Sequence, residues 1–332
     1  MLPRFSILAL VLSGVAAIAR LGAAEPEPAG VRIAPYQGGR VAALSYTFDD
    51  GLRDHYTLAA PMLEEFGFHG TFFIIGKVVA DTDELAAAKK PGVHGGVSWG
   101  QVKDLAARGH EIGNHSWSHR QLVKCTPEEL AEEIERNRTV LTEKLGVAPL
   151  TFCYPGNGAN EAVRAAVRKD HVAARERHFE IGQITLTTAE INAWADENIA
   201  KGGWGIAMIH GLTAGYHPLS SPEVLRQHLA YVKSQEPKIW VDTFANVARY
   251  VAERDAAKLT VSKRETRSVE VVLSSPLSNP PYSVSLTVVI DAPGARTATA
   301  ERGGKPLPAA VRDGRVWVEA VPAPEAIQVN WE

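Results

Sequence analysis

A chain of 332 residues with 45% hydrophobic and 22% charged residues is long enough for one large domain, or a large and a small one. That composition excludes a chain disordered throughout. The net charge is −3, and residues 1–24 hold Arg4 and Arg20 but no acid, so the remainder carries −5. A negative chain of this kind argues against nucleic acid or an anionic membrane surface as partner.

Residues 1–24 read as an export signal. Arg4 is the positive start, Phe5 to Ala19 the apolar stretch, and Gly22-Ala23-Ala24 the small-residue cleavage site, with Ala17-Ile18-Ala19 as a second. The apolar stretch is about fifteen residues, short of the roughly twenty that cross a bilayer. Cleavage would place the mature N-terminus near Glu25, with a periplasmic or secreted location and no stable membrane insertion. An uncleaved anchor is the alternative, because Arg20 interrupts the approach to the cleavage site.

The first strand candidate, Val41 to Thr47, runs into Phe48-Asp49-Asp50-Gly51. Adjacent side chains on a continuing strand point to opposite faces, so both carboxylates serve one site only if the chain turns, which Gly51 permits. Asp-Gly is also an ordinary surface turn. The strand candidate Gly70 to Ile75 follows, and then a helix opened by Ser98 and Gln101, a capping-box pair. His110 to Asn114 is the third strand candidate, and it leads into His115-Ser116-Trp117-Ser118-His119, with two imidazoles four residues apart, the spacing of one helical turn.

Thr47-Phe48-Asp49-Asp50-Gly51 followed by His115-Ser116-Trp117-Ser118-His119 resembles the first two motifs of the polysaccharide deacetylases, the carbohydrate esterases that include chitin, peptidoglycan and xylan deacetylases. The resemblance extends from Val41 to about Arg254 and includes Gly70-Thr71-Phe72-Phe73. It implies a distorted (β/α)7 barrel, a divalent metal held by Asp50, His115 and His119, and Asp49 as the general base acting on metal-activated water. One carboxylate with two imidazoles suits zinc first, with cobalt, nickel or manganese as alternatives.

Thr126 with Glu129 forms a second capping box, Pro127 takes the first helical position, and Gly146 stops the helix. Leu150 to Cys153 is the fourth strand candidate. Where the family carries Arg-x-Pro-Tyr, this chain has Cys153-Tyr154-Pro155-Gly156, so the arginine that orients the base in relatives is missing. The backbone N–H of Gly156 is expected to face the oxyanion, and Tyr154 and Trp117 to contact substrate.

Val172 to Ala174, Ile184 to Leu186, Gly205 to Ile209 and Lys238 to Val241 complete the strand candidates, and Pro222 starts a further helix. The α/β alternation predicts chemistry at the C-terminal ends of the strands. His210 resembles the family's acid histidine, with Met208 in the place of its leucine, but the fourth motif is not recognisable. Asp242 is read as part of a helix N-cap with Thr243. Trp99, Trp204 and Tyr216 are candidate sugar platforms, and His94 and His217 candidate glycan contacts; the remaining histidines, His55 among them, are read as surface or core.

Beyond Arg254 the sequence alternates apolar and polar residues between turns such as Pro293-Gly294 and Asp313-Gly314, which predicts a small antiparallel β-domain, a sandwich of residues 256–332 serving as lid or spacer. Residues 25–255 are then the barrel. Cys125 and Cys153, the only cysteines, flank one βα unit, so a disulfide is geometrically open. The expected activity is removal of N- or O-acetyl groups from an acetylated polysaccharide or oligosaccharide. The missing third-motif arginine and fourth-motif aspartate keep a second reading alive, a catalytically silent relative that binds glycan.

Overall fold

The computed structural model describes residues 30–277 and 280–332, so the export segment lies outside the described residues. The barrel is built on the strand Ala42–Asp49, buried along its whole length, as a parallel strand covered on both faces must be. From it the sheet continues through Thr71–Ile74, Glu111–Asn114, Thr151–Cys153 and Ala173–Arg175 on one side, and through Trp204–Ile209 and Phe179–Glu180 on the other. All these pairings are parallel. Seven strands thus curl round in chain order, and among the described residues no ladder joins Ala173–Arg175 to Phe179–Glu180. An eighth strand, Ile239–Val241, pairs with Ala42–Leu44 on the edge that Thr71–Phe73 uses further along.

The sixth strand differs from expectation. Ile184 to Leu186 forms a turn in which the Leu186 N–H donates to the Gln183 carbonyl, and Ile184 is 71% exposed. The sheet position goes instead to Phe179–Glu180, whose Phe179 ring stacks on Trp194 of the helix Thr188–Lys201. Both capping boxes form, Gly146 ends its helix at a φ of +77°, and Thr187 with Glu190 makes a third box. Among the described residues no helix is long and apolar enough to cross a membrane.

The C-terminal part is a sandwich of two antiparallel sheets. One orders Lys258–Arg264, Ser268–Ser274, Ile327–Trp331, Ala298–Arg302 and Lys305–Leu307; the other orders Val31–Ile33, Leu286–Asp291, Arg315–Ala320 and Ala309–Arg312. Val31–Ile33 precedes the barrel, so the sandwich takes a strand from each side of it in sequence. A single apolar cluster crosses between the two parts, with Tyr36, Trp240, Val247 and Tyr250 packed beside Val271, Leu286 and Val288. Trp331 is buried in this cluster, which fits a spacer better than a sugar platform.

The buried Tyr250 hydroxyl donates to the Ala34 carbonyl at 3.0 Å and accepts from the Thr287 N–H at 3.4 Å, tying the barrel's last helix to two neighbouring strands of one sandwich sheet. Tyr250→Phe is expected to lower stability by about 1–3 kcal/mol, because it leaves those backbone groups buried without a partner. Denaturant unfolding checks this, and the barrel and sandwich should shift together in one transition; two separable transitions would contradict the shared core.

Candidate active site

The strand Ala42–Asp49 ends in two consecutive left-handed residues, Asp50 at φ +79° and Gly51 at φ +62°. This turn brings both carboxylates to one cavity of about 370 Å³ at the C-terminal rim of the barrel. A side chain on Gly51 would also press on Ile74 and Val97 at 3.3 Å. Asp49 and Asp50 are 2% and 4% exposed, yet they meet different partners.

Asp50 faces imidazoles. Its Oδ1 lies 3.3 Å from His115 Nε2 and 3.5 Å from His119 Nε2, and its Oδ2 lies 3.2 Å from His94 Nε2. Burial alone would raise the Asp50 carboxyl, but His115, then His94 and His119, hold it well below the ordinary range. His115 follows the strand Glu111–Asn114, and its Nδ1 meets the Cys153 carbonyl at 2.8 Å. The Cys153 carbonyl thus accepts from the Nδ1 N–H and leaves Nε2 as the ring atom that faces Asp50. Burial and the neighbouring His115 charge bring His119 down to about 4, so its imidazole is neutral at ordinary pH.

His115 and His119 are not on a helix. Ser116 and His119 both have positive φ, and the loop between them is held by the buried Glu133, whose carbonyl accepts from Trp117 N–H at 2.7 Å and whose carboxylate accepts from Ser118 N–H at 2.8 Å. The His119 N–H donates to Ser116 Oγ at 3.0 Å. The loop sets the two rings 4.9 Å apart, a result that the four-residue spacing anticipated by a different geometry.

The ligand atoms of Asp50, His115 and His119 lie within 4.8 Å of one another, and the buried Asp50 Oδ1 has no hydrogen-bond partner. An orphaned anionic oxygen between two imidazoles fits a divalent cation, with the three protein ligands of a catalytic site. Asp49, His115 and Cys153 also converge within 4.8 Å. That second cluster is already engaged, because an arginine holds two of its three members.

This arginine is Arg175. Its side chain is fully buried and grips Asp49 with both terminal nitrogens, Nη1 reaching Oδ1 at 2.8 Å. Nη1 also donates to Thr47 Oγ1 at 2.6 Å, and Nη2 to Cys153 Sγ at 3.0 Å. Burial alone would raise the Asp49 carboxyl; Arg175, then His115 and His210, bring it below its usual value. Cys153 and Arg175 are register partners on adjacent parallel strands. The guanidinium absent from the fourth strand therefore arrives from the fifth, through the space that a thiol leaves open. The sequence did carry one sign of it, a cation directly after the strand candidate Val172 to Ala174.

His210 ends the strand Trp204–Ile209, with Nε2 4.0 Å from Asp49 Oδ2 and 3.9 Å from Asp50 Oδ2. Tyr154, Gly156, Glu180, Met208 and Tyr216 complete much of the cavity wall. The Tyr154 hydroxyl donates to Glu176 at 3.4 Å. Trp117 is not among the lining residues; its ring lies 4.1 Å from the Arg136 guanidinium. Of the other aromatic candidates, Trp99 is buried and Trp204 stacks on Phe244, while Tyr216 is 60% exposed with its ring edge-on to His210. His217 pairs with Glu180. Asp242 accepts from Thr243 N–H and the Asn246 side chain, as a helix cap does. Both thiols are free: Cys153 is turned into the barrel toward Asp49, and Cys125 packs on the separate cluster around Leu122.

Residues 38–174 match the family model described as polysaccharide deacetylase. Through this segment the chain is similar to the polysaccharide deacetylases. Curated relatives include chitin deacetylase 1 of Cryptococcus neoformans, 30% identical over 119 residues that cover 36% of this chain and 22% of that protein. A gellan lyase of a Bacillus species is 22% identical over 339 residues, covering 90% of this chain but 13% of the lyase. This chain therefore spans less than a quarter of either relative. Among solved structures, a family 4 acetyl xylan esterase from Clostridium thermocellum in complex with cobalt is 22% identical at a TM-score of 0.47, covering 64% of this chain and 91% of that one.

Removing one member of a buried ion pair strands the other charge, at a cost of about 3–5 kcal/mol. Arg175→Ala should show a loss of that order in denaturant unfolding, and Cys153→Arg added to it should recover much of the loss, since position 153 already points at Asp49. A double variant no better than Arg175→Ala would contradict the idea that either strand can supply the guanidinium.

Proposed function

We propose that this chain is an exported metal-dependent hydrolase that removes acetyl groups from a polysaccharide. The observation that supports this most is the division between the two neighbouring carboxylates: Asp49 is engaged by Arg175, Asp50 by histidines. Neither a surface turn nor a plain glycan-binding groove calls for that division.

Asp50, His115 and His119 would hold a divalent cation, zinc in the first instance with cobalt, nickel or manganese as alternatives. When bound, the cation supplies Lewis acidity that lowers the pKa of water and polarises the acyl oxygen. Asp49 takes the proton of the attacking water. Arg175 keeps that carboxylate ionised and fixes its rotation, with both oxygens held by one guanidinium fork. His210, about 4 Å from both carboxylates, gives a proton to the departing sugar nitrogen or oxygen. The Gly156 N–H, at a left-handed residue on the opposite wall, is the donor offered to the developing oxyanion. The exposed Tyr216 presents an apolar face for a sugar ring, and the buried Tyr154 lines the cavity wall beneath it.

The substrate is an acetylated polysaccharide or oligosaccharide outside the cytoplasm, and the mature chain begins near Glu25. A silent, glycan-binding relative was the reading motivated by the missing third-motif arginine and fourth-motif aspartate, and Arg175 answers the first of these two losses.

Mutants of the two aspartates should fail differently. Asp50→Ala is expected to lose bound metal and activity together. Asp49→Asn should keep its metal and lose about a hundred- to ten-thousandfold in rate, the usual cost of a missing general base. Metal analysis with acetate release from chitin, peptidoglycan and xylan oligomers, with and without chelator, reads both; equal metal loss in the two variants would refute the division of labour.

A further inference from the structure

We infer that Asp54 and His55 are positioning residues that latch the backbone of the His210 loop to the turn carrying Asp49 and Asp50. The inference rests on the proposed deacetylation, in which His210 is the proton donor.

No regular helix or strand lies between Ile209 and Pro222, so the backbone after His210 is fixed only by what it touches. Gly211 opens a tight turn in which a Cβ would lie 1.8 Å from the Ala214 carbonyl oxygen. Two groups at the start of a helical segment, His55–Ala59 with Asp54 before it, hold this turn. His55 Nε2 meets the His210 carbonyl at 2.7 Å. Asp54 Oδ2 accepts from the N–H of Leu212 at 2.7 Å and of Thr213 at 3.0 Å, with the Thr213 hydroxyl at 3.4 Å.

The tautomer of His55 follows from its other side. Its Nδ1 accepts from the Leu52 N–H at 3.2 Å, so the proton sits on Nε2 and is donated to His210. The ring is fully buried, 5.4 Å from Phe48 and 6.1 Å from Phe72 between centroids. A buried imidazole among phenyl rings could be read as ordinary core packing. Packing alone, however, does not call for both ring nitrogens to be spent on backbone groups of two different loops.

A third segment also braces this loop, because the backbones of Gly92 and Gly215 pass so closely that a Cβ on Gly92 would lie 2.3 Å from the Gly215 nitrogen. Base, metal ligand and acid are thus set by one short segment. Asp49 and Asp50 reach the cavity directly, while Asp54 and His55 fix the main chain from which His210 projects. The latch bears on the approach of His210 to both carboxylates rather than on the ligand set.

The test uses the full chain with its metal. His55→Phe keeps an aromatic ring in the same pocket but removes the N–H, and His55→Gln restores an amide donor and an acceptor. Loosening the acid by about 1 Å costs about a hundredfold, so His55→Phe should lower kcat by that order with KM and metal content unchanged, and His55→Gln should recover most of it. Hydrogen exchange at the Leu212 and Thr213 amides supplies a readout independent of activity: it should speed up about tenfold in His55→Phe and in Asp54→Ala, the effect of losing one net hydrogen bond. Unchanged exchange in both variants overturns the latch whatever happens to activity. A parallel loss of metal and kcat overturns it too, since the effect would then be on the ligand set. Faster exchange in a chain whose unaltered form releases no acetate supports the latch and refutes the deacetylase reading instead.

Discussion

The site depends on one buried ion pair. Two buried carboxylates side by side at the floor of a cavity repel each other, and one of them would be protonated if nothing compensated it. Arg175 supplies that compensation to Asp49, and its two terminal nitrogens also reach Thr47 and Cys153. Asp50 is left to the imidazoles, with an oxygen that no protein donor satisfies. A guanidinium fork does this better than an ammonium would, because its two nitrogens fix the plane of the carboxylate as well as its charge.

The geometry follows from parallel pairing. Residues opposite one another on neighbouring strands of a curled sheet present side chains to the same interior layer. Cys153 and Arg175 are such a pair, and Asp49 lies across the barrel from both, so a long side chain from either can reach it. The sandwich contributes from a distance. Its core is continuous with Trp240 and Tyr250, and Trp240 sits on the strand paired with the beginning of Ala42–Asp49, the strand that ends in the site.

What the sequence made legible was local. The turn at Asp49-Asp50-Gly51, the two histidines after Asn114, the capping boxes at Ser98 and Thr126, and the alternation beyond Arg254 can all be read within a few residues of chain, and the structure carries each of them. Asp49, Asp50, His115, His119 and His210 meet in one cavity. Elements set by partners far away in sequence were not legible. Val31–Ile33 is three residues whose strand state comes from Leu286–Asp291, and Phe179–Glu180 is two residues pinned by Trp194 and the strand beside it. Arg175 looked like a charge at a strand end, and its role depends on register with Cys153, which no local pattern encodes. His55 was read as surface or core, and only its two backbone partners distinguish it from packing.

The most direct test is where a divalent metal binds. Crystals of the full chain loaded with cobalt or zinc should give one anomalous peak held by Asp50, His115 and His119, with Asp49 still gripped by both nitrogens of Arg175. A peak held by Asp49, His115 and Cys153, with Arg175 displaced from the carboxylate, would contradict the account, because the second cluster would then be the metal site and Asp49 could not be the base.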